Sequence, residues 1–238
     1  MRIEAQRAAG RIGLKQAVAG LRNRMDNVDI SQSEHALAAL TQIGTTDIVP
    51  ALHDMTTGDG FLKQCKAQGG SEDQCRFSEK QIRKPRFLTL TRLAPGADLA
   101  KIDKMIADEK TPELKADLTQ ARARVAAAAE CDGKGVPCWA GKLKDPDAKV
   151  RDRAAYALLW AASGGSDEAR DALVEALSDT DNEVRYAAIM GVMRRLPKDG
   201  VALADKLKAQ LAAEKGKTQF IRVNEDLKRL EVRVRRGY

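Results

Sequence analysis

The sequence predicts an all-α chain folded as an α-solenoid, a stack of helical hairpins, and three observations predict it. LKDPDAKVRDRAAYALLWAA at 143 to 162 and LSDTDNEVRYAAIMGVMRRL at 177 to 196 are one motif written twice, 34 residues apart. Leu143/Leu177, Asp145/Asp179, Asp147/Asp181, Val150/Val184, Arg151/Arg185 and Ala154/Ala188 are identical between the copies. A fixed period of this size marks stacked helical units. Composition agrees, because 38 Ala against 7 Pro and nine aromatics favours closely packed helices over a β-rich interior. Finally, 32% charged residues and a mean hydropathy of -0.42 describe a chain with no apolar run long enough to cross a bilayer.

Taken in order, Glu4 to Gly13 reads as the tail of a second helix, which places the start of the chain inside a repeat. A first helix follows from Leu14, and its partner runs from Ser33, with Ser31 or Ser33 available as N-cap and Ala36, Leu37, Leu40 and Ile43 spaced for one buried stripe. Ile12-Gly13 and Ile43-Gly44 coincide at an offset of 31, and Val49 and Leu52 match Val18 and Leu21 at that offset. Residues 58–76 break the period. They are polar and Gly-rich, and they read as a loop insertion of the kind that is usually functional. Helix resumes near Phe77 and runs to Leu93, with a break or kink at Lys84-Pro85 because a residue before proline disfavours the α region. DLAKIDKMIADEK from Asp98 pairs with it, and Thr111-Pro112 starts a helix that ends at Ala129.

Beyond the breaker-rich loop at 130–137 the repeats become regular. Trp139, Leu173 and Leu207 fall 34 apart, as do Leu143, Leu177 and Leu211, so three first helices present the same anchors. Asp145 and Asp179 stand where N-caps are needed. Residues 201–238 form a degenerate last repeat that keeps Leu227 and Leu230 in phase and ends in a basic tail.

The pattern L-x-D-x-D-x-x-V-R-x-x-A, from Leu143 and from Leu177, resembles the HEAT repeat of the short bacterial type also found in phycobilin lyases. The resemblance is specific over 137–211, weaker over 1–57 and 86–129, and absent from 58–76. It implies one right-handed α-solenoid of about six hairpins over 1–238, with second helices on the concave side. It also implies that Asp145, Arg151, Asp179 and Arg185 form a ladder between adjacent repeats, a role that suits the planar fork of arginine. Enzymes with similar repeats are not matched residue by residue. The iron-binding His-Glu dipeptides of deoxyhypusine hydroxylase are missing, Trp160 is the sole Trp among the basic second helices, against the several aromatics of HEAT-like DNA glycosylases, and nothing specifies a bilin pocket. No nucleophile with its base, phosphate loop, metal motif or cofactor motif appears.

Four cysteines allow three connectivities, of which local pairing of Cys65 with Cys75 and of Cys131 with Cys138 is the simplest. Zinc is a poor fit, since the spacings are C-x9-C and C-x6-C and zinc ribbons present C-x2-C hooks. Disulfides imply a periplasmic or extracellular location, and reduced cysteines a cytoplasmic one. MRIEAQRAAGRIG carries charge where a signal peptide has its apolar segment.

The net charge of +7 is unevenly spread: residues 76–92 hold six cations against Glu79, residues 217–238 seven against three acids, and residues 166–183 seven acids against Arg170. The reading that joins these features is a non-enzymatic scaffold or adaptor, without cofactor, that binds a protein partner with an acidic surface. Its candidate contacts are the 58–76 insertion and the basic second-helix residues Arg83, Lys84, Arg86, Arg122, Arg124, Arg153, Arg194 and Arg195. The alternative is nucleic-acid binding, with those same cations tracking phosphates.

Overall fold

The computed structural model describes residues 3–25, 29–54, 60–197, 200–213 and 221–236. Every regular element among them is helical: α1 (Ile3–Ile12), α2 (Val18–Met25), α3 (Ile30–Ile43), α4 (Val49–Asp54), α5 (Gly60–Ala67), α6 (Glu72–Leu93), α7 (Leu99–Asp108), α8 (Pro112–Ala129), α9 (Val136–Lys142), α10 (Ala148–Ser163), α11 (Asp167–Ala176), α12 (Asn182–Arg194), α13 (Val201–Ala213) and α14 (Ile221–Arg236). They divide into two compact units, residues 1–132 and 133–238.

In the first unit α1, α3, α6 and α8 pack side by side as one layer, and α2, α4 and α7 pack on them as the other. Each of these three first helices is introduced by a tight 3-10 turn, at Lys15–Ala17, Thr46–Ile48 and Gly96–Asp98. The Ile-Gly coincidence has a conformational cause. Gly13 and Gly44 follow a second helix at φ 69° and 80°, the left-handed geometry that closes a helix C-terminus. The N-cap of α3 is Asp29 rather than either serine; its side chain accepts from the Gln32 N–H, while buried Ser33 donates to the Met25 carbonyl at 2.6 Å.

Two expectations fail in this unit. The segment 58–76 is not a loop: α5 and the first turn of α6 lie within it, joined by a four-residue turn, with residues 58–59 outside the described set. A capping box on Ser71 and Gln74 starts α6, so the polar residues that looked like loop are helix-terminal chemistry. Nor does Pro85 break α6, which is continuous through it. An interior proline costs about 3 kcal/mol, and here Ile82, Phe87 and Leu90, buried on either side of it, offset that cost.

In the second unit α10, α12 and α14 form one layer, with α9, α11 and α13 as their hairpin partners. Leu158, Leu159, Leu173, Val184, Ile189, Leu227 and Leu230 belong to one continuous core. The N-caps are Asp147 and Asp181, whose side chains accept from N–H groups in the first turn; Asp145 and Asp179 stand two residues earlier and accept from the N–H of Asp147 and Asp181. Helix α13 is where expected, although the side chains of Leu207 and Leu211 lie outside the described residues.

Close approach at one glycine seats the last hairpin. A Cβ on Gly200 would lie 2.6 Å from the Val234 carbonyl oxygen and 2.8 Å from its Cγ1. Gly200→Ala should therefore displace α14 and destabilise the unit by about 1–3 kcal/mol, the usual cost of overpacking. Chemical denaturation measures the loss, and hydrogen exchange should rise across α13 and α14 before α10.

Candidate functional site

The identical residues of the two best repeats meet at one rung. Arg151, in the first turn of α10, donates from Nε and Nη2 to the two carboxylate oxygens of Asp179 at 2.8 and 2.9 Å. Its Nη1 donates to the carbonyls of Asp145 and Pro146 at 3.0 and 3.2 Å. One guanidinium thus joins the loop before its own helix to the loop before the next second helix, 34 residues on. Arg185 takes the equivalent position in α12 and donates to Asn182 Oδ1. Burial pushes the Asp179 carboxyl up, but the Arg151 hydrogen bonds and the Asp181 N–H outweigh it and hold the group below its ordinary value. Repeat identity here reflects packing: these groups satisfy one another and leave no open site.

The eight basic residues picked from sequence do not form one exposed face. Arg83, Arg86 and Arg153 are buried. Arg83 is paired with Glu79 and Glu109, Arg86 donates to the Met25 carbonyl at 3.0 Å, and Arg153 stacks over Trp139 with its guanidinium carbon 5.7 Å from the ring centroid. Lys84 reaches Glu113 at 2.5 Å, Arg122 grips Asp103 through two bonds, and Arg195 donates to Asp167 at 2.9 Å. Arg124 donates to Gln120, one turn back on the same helix. Arg194 donates to Ser163 Oγ at 3.0 Å, and burial pulls its guanidinium down to about 10 against the opposing influence of Tyr156 and Tyr186. Most of this charge is engaged inside its own unit, so the sequence overcounted what a partner could reach. Acids three or four residues away on the same helix, or on a neighbouring one, are the reason.

The segment 58–76 is more informative. Cys65 of α5 and Cys75 of α6 form a disulfide with Cα atoms 5.7 Å apart, and Cys75 is fully buried. Gly70 stands against both sulfurs, where a Cβ would come within 2.7 and 2.8 Å of them, so the turn needs glycine there. Glu72 receives Lys66 at 2.9 Å and Arg76 at 2.6 Å, and these two cations bring its carboxyl down to about 2. The result is a clamped hairpin in which α5 packs chiefly on α6. Directly after Arg76 of the clamp, Phe77 is 63% exposed. Sequence reading passed over Phe77, yet a signal was present. The buried stripe of α6 runs through Cys75, Ile82, Arg86 and Phe87, and a residue two places after Cys75 falls on the far side of the helix. Cys131 and Cys138 are disulfide-bonded as well, so all four cysteines are paired.

Among the described residues no group of three or more His, Cys, Asp or Glu is placed to hold a metal. His35 Nδ1 lies 2.6 Å from the Ser31 carbonyl, and His53 is buried with Nδ1 3.0 Å from Met105 Sδ and Nε2 3.7 Å from Asp98. No described helix is long and apolar enough to cross a membrane.

Compared with known proteins, residues 139–218 match the family model of HEAT repeats. No curated protein matches the chain.

The rung makes a testable statement about pH. A carboxylate whose folded value is depressed stabilises above its unfolded value, near pH 4, and that contribution is lost as pH falls through the folded one. Asp179→Asn should cost about 1–2 kcal/mol at neutral pH, less than a fully buried pair because both partners keep some exposure. As pH falls from about 4 through the depressed folded value of Asp179, the variant and wild type should converge in urea midpoint.

Proposed function

Residues 139–218 are HEAT repeats, and from that premise we propose that the protein is a non-enzymatic scaffold that holds a protein partner in an oxidising compartment, the periplasm or the cell exterior. HEAT repeats generally mediate protein interactions, which supports the class of function; the location is supported by two cysteine pairs at bonding distance and no free thiol. The observation that carries the reading is Phe77. It is a large aromatic, 63% exposed, carried on a hairpin that a disulfide holds rigid, and aromatic side chains are enriched in the cores of protein interfaces. Arg76, paired with Glu72, and Lys80, paired with Glu113, stand beside it on the same helix; their side chains keep 59% and 39% exposure, so part of each cation still faces a partner with an acidic surface. The disulfide lowers the entropic cost of binding, because the hairpin is already ordered before a partner arrives. Phosphate tracking by the second helices is not favoured, since Arg83, Arg86 and Arg153 are buried.

Two measurements test this. Alkylation of protein from its native source should add nothing before reduction and four groups afterwards; four groups beforehand would place the chain in a reducing compartment and remove the argument for location. A photocrosslinking side chain at position 77 should capture one protein repeatedly, and a control at exposed Lys15 should not. Phe77→Ser should weaken binding of that partner by roughly 10- to 100-fold, the range for losing an aromatic anchor, and Arg76→Glu should weaken it more at low salt than at high. Unchanged affinity in both variants refutes the hairpin as the contact.

A further inference from the structure

The positive charge that α6, α8, α10 and α12 do not offer is concentrated in the last hairpin. Residues 133–197 hold ten Lys and Arg against ten Asp and Glu, whereas residues 198–238 hold eleven against six. Much of that excess rides on α14, and the helix sorts its residues by face. Leu227, Leu230 and Val234 are buried with Asp226, in the core shared with α12 and α13. Lys228, Arg229, Val232, Arg235 and Arg236 are exposed, and their spacing of one, three, three and one residues puts all five on the opposite face. Val232, 42% exposed, lies at the centre with two cations on each side.

The stripe is held in place. Arg229 donates to the buried Asp226 at 2.7 Å, and Arg235 is tied to Glu231 at 2.8 Å and approaches Asp205 of α13 at 3.7 Å. Arg229 and Arg235 nevertheless keep about half of their side-chain surface, 53% and 49%. Gly200 lets α14 sit close against the start of α13, which fixes the stripe relative to the rest of the unit.

We infer that this face of α14 is a second docking surface, one that takes an acidic protein segment with an apolar side chain at its centre. The apolar side chain would cover Val232, and carboxylates one helical turn to either side would meet Lys228, Arg229, Arg235 and Arg236. An acidic amphipathic helix has this layout, with groups repeating at three and four residues. Nucleic acid fits less well. Phosphates have no use for Val232. A membrane surface fits less well too, because the apolar face that such a helix would insert is already spent against α12 and α13. The inference rests on the scaffold reading for the class of partner, and on α14 alone for the place.

The test uses the full chain and defined probes: a fluorescent amphipathic peptide of Glu and Leu, poly-glutamate, a 20-base-pair DNA duplex, and vesicles of phosphatidylglycerol with phosphatidylcholine. Arg229 is left alone because it satisfies buried Asp226. The Glu/Leu peptide should bind the wild type, weaken by roughly tenfold in Lys228→Glu/Arg236→Glu and severalfold in Val232→Ser, and weaken again as salt rises. Poly-glutamate, lacking an apolar side chain, should ignore Val232→Ser. Unchanged melting curves establish that the variants are folded. Tighter binding of the duplex than of the peptide, with a steep salt slope, would overturn the inference in favour of nucleic acid. Binding to vesicles alone overturns it in favour of a lipid surface, and equal peptide affinity for wild type and variants overturns it outright. A crosslinked partner at Phe77 whose affinity ignores the α14 variants would sink this surface and leave the scaffold standing.

Discussion

A hairpin of two amphipathic helices cannot bury its apolar stripe alone, and the rest of this structure follows from that constraint. Helix α12 shows it best. Nine consecutive residues from Val184 to Val192 are buried, because α10, α11 and α14 surround the helix. Packing this close needs a gap in the helix wall: Gly191 lies where a Cβ would collide with Leu173 and come within 3.4 Å of the Leu159 Cα. Each hairpin is therefore stabilised by the next, and stability is a sum over nearest neighbours rather than the property of one central core.

Polar groups obey the same constraint. The aspartates before α10 and α12 cap their helices and hold the preceding turn, and Arg151 uses what remains of Asp179 to link the two loops. A residue repeated at a fixed period is thus explained by the need to satisfy backbone and charge at each junction. Binding needs the reverse, a residue that packing does not explain. Phe77 is one such residue, on a hairpin held by a disulfide, two ion pairs to Glu72 and a capping box. Val232 among the cations of α14 is another.

Charge shows why a one-dimensional reading overestimates a surface. Six cations between residues 76 and 92 look like a basic patch, yet three of them, Lys80, Arg83 and Lys84, meet Glu109 and Glu113, which arrive from the loop after α7 and the start of α8. Burial then removes Arg83 and Arg86 from any outside contact. On α14, by contrast, Lys228, Arg229, Arg235 and Arg236 stay exposed.

The sequence by itself determined the helical class, the hairpin order, the glycine ends at Gly13 and Gly44 and the local cysteine pairing, since these follow from periodicity, from backbone conformations that favour glycine, and from short chain separation. The repeated Asp145/Asp179 and Arg151/Arg185 were visible as identities, and the resemblance to HEAT repeats implied a ladder; the structure supplied the Arg151 to Asp179 bond itself. Only the tertiary structure decided that 58–76 is largely helical, that α6 runs through Pro85, and which cations reach water. The first hid behind local helix-terminal chemistry at Ser71 and Gln74 that reads as loop; the other two depend on packing, through the apolar contacts that offset a missing backbone donor and the carboxylates that a folded layer brings alongside.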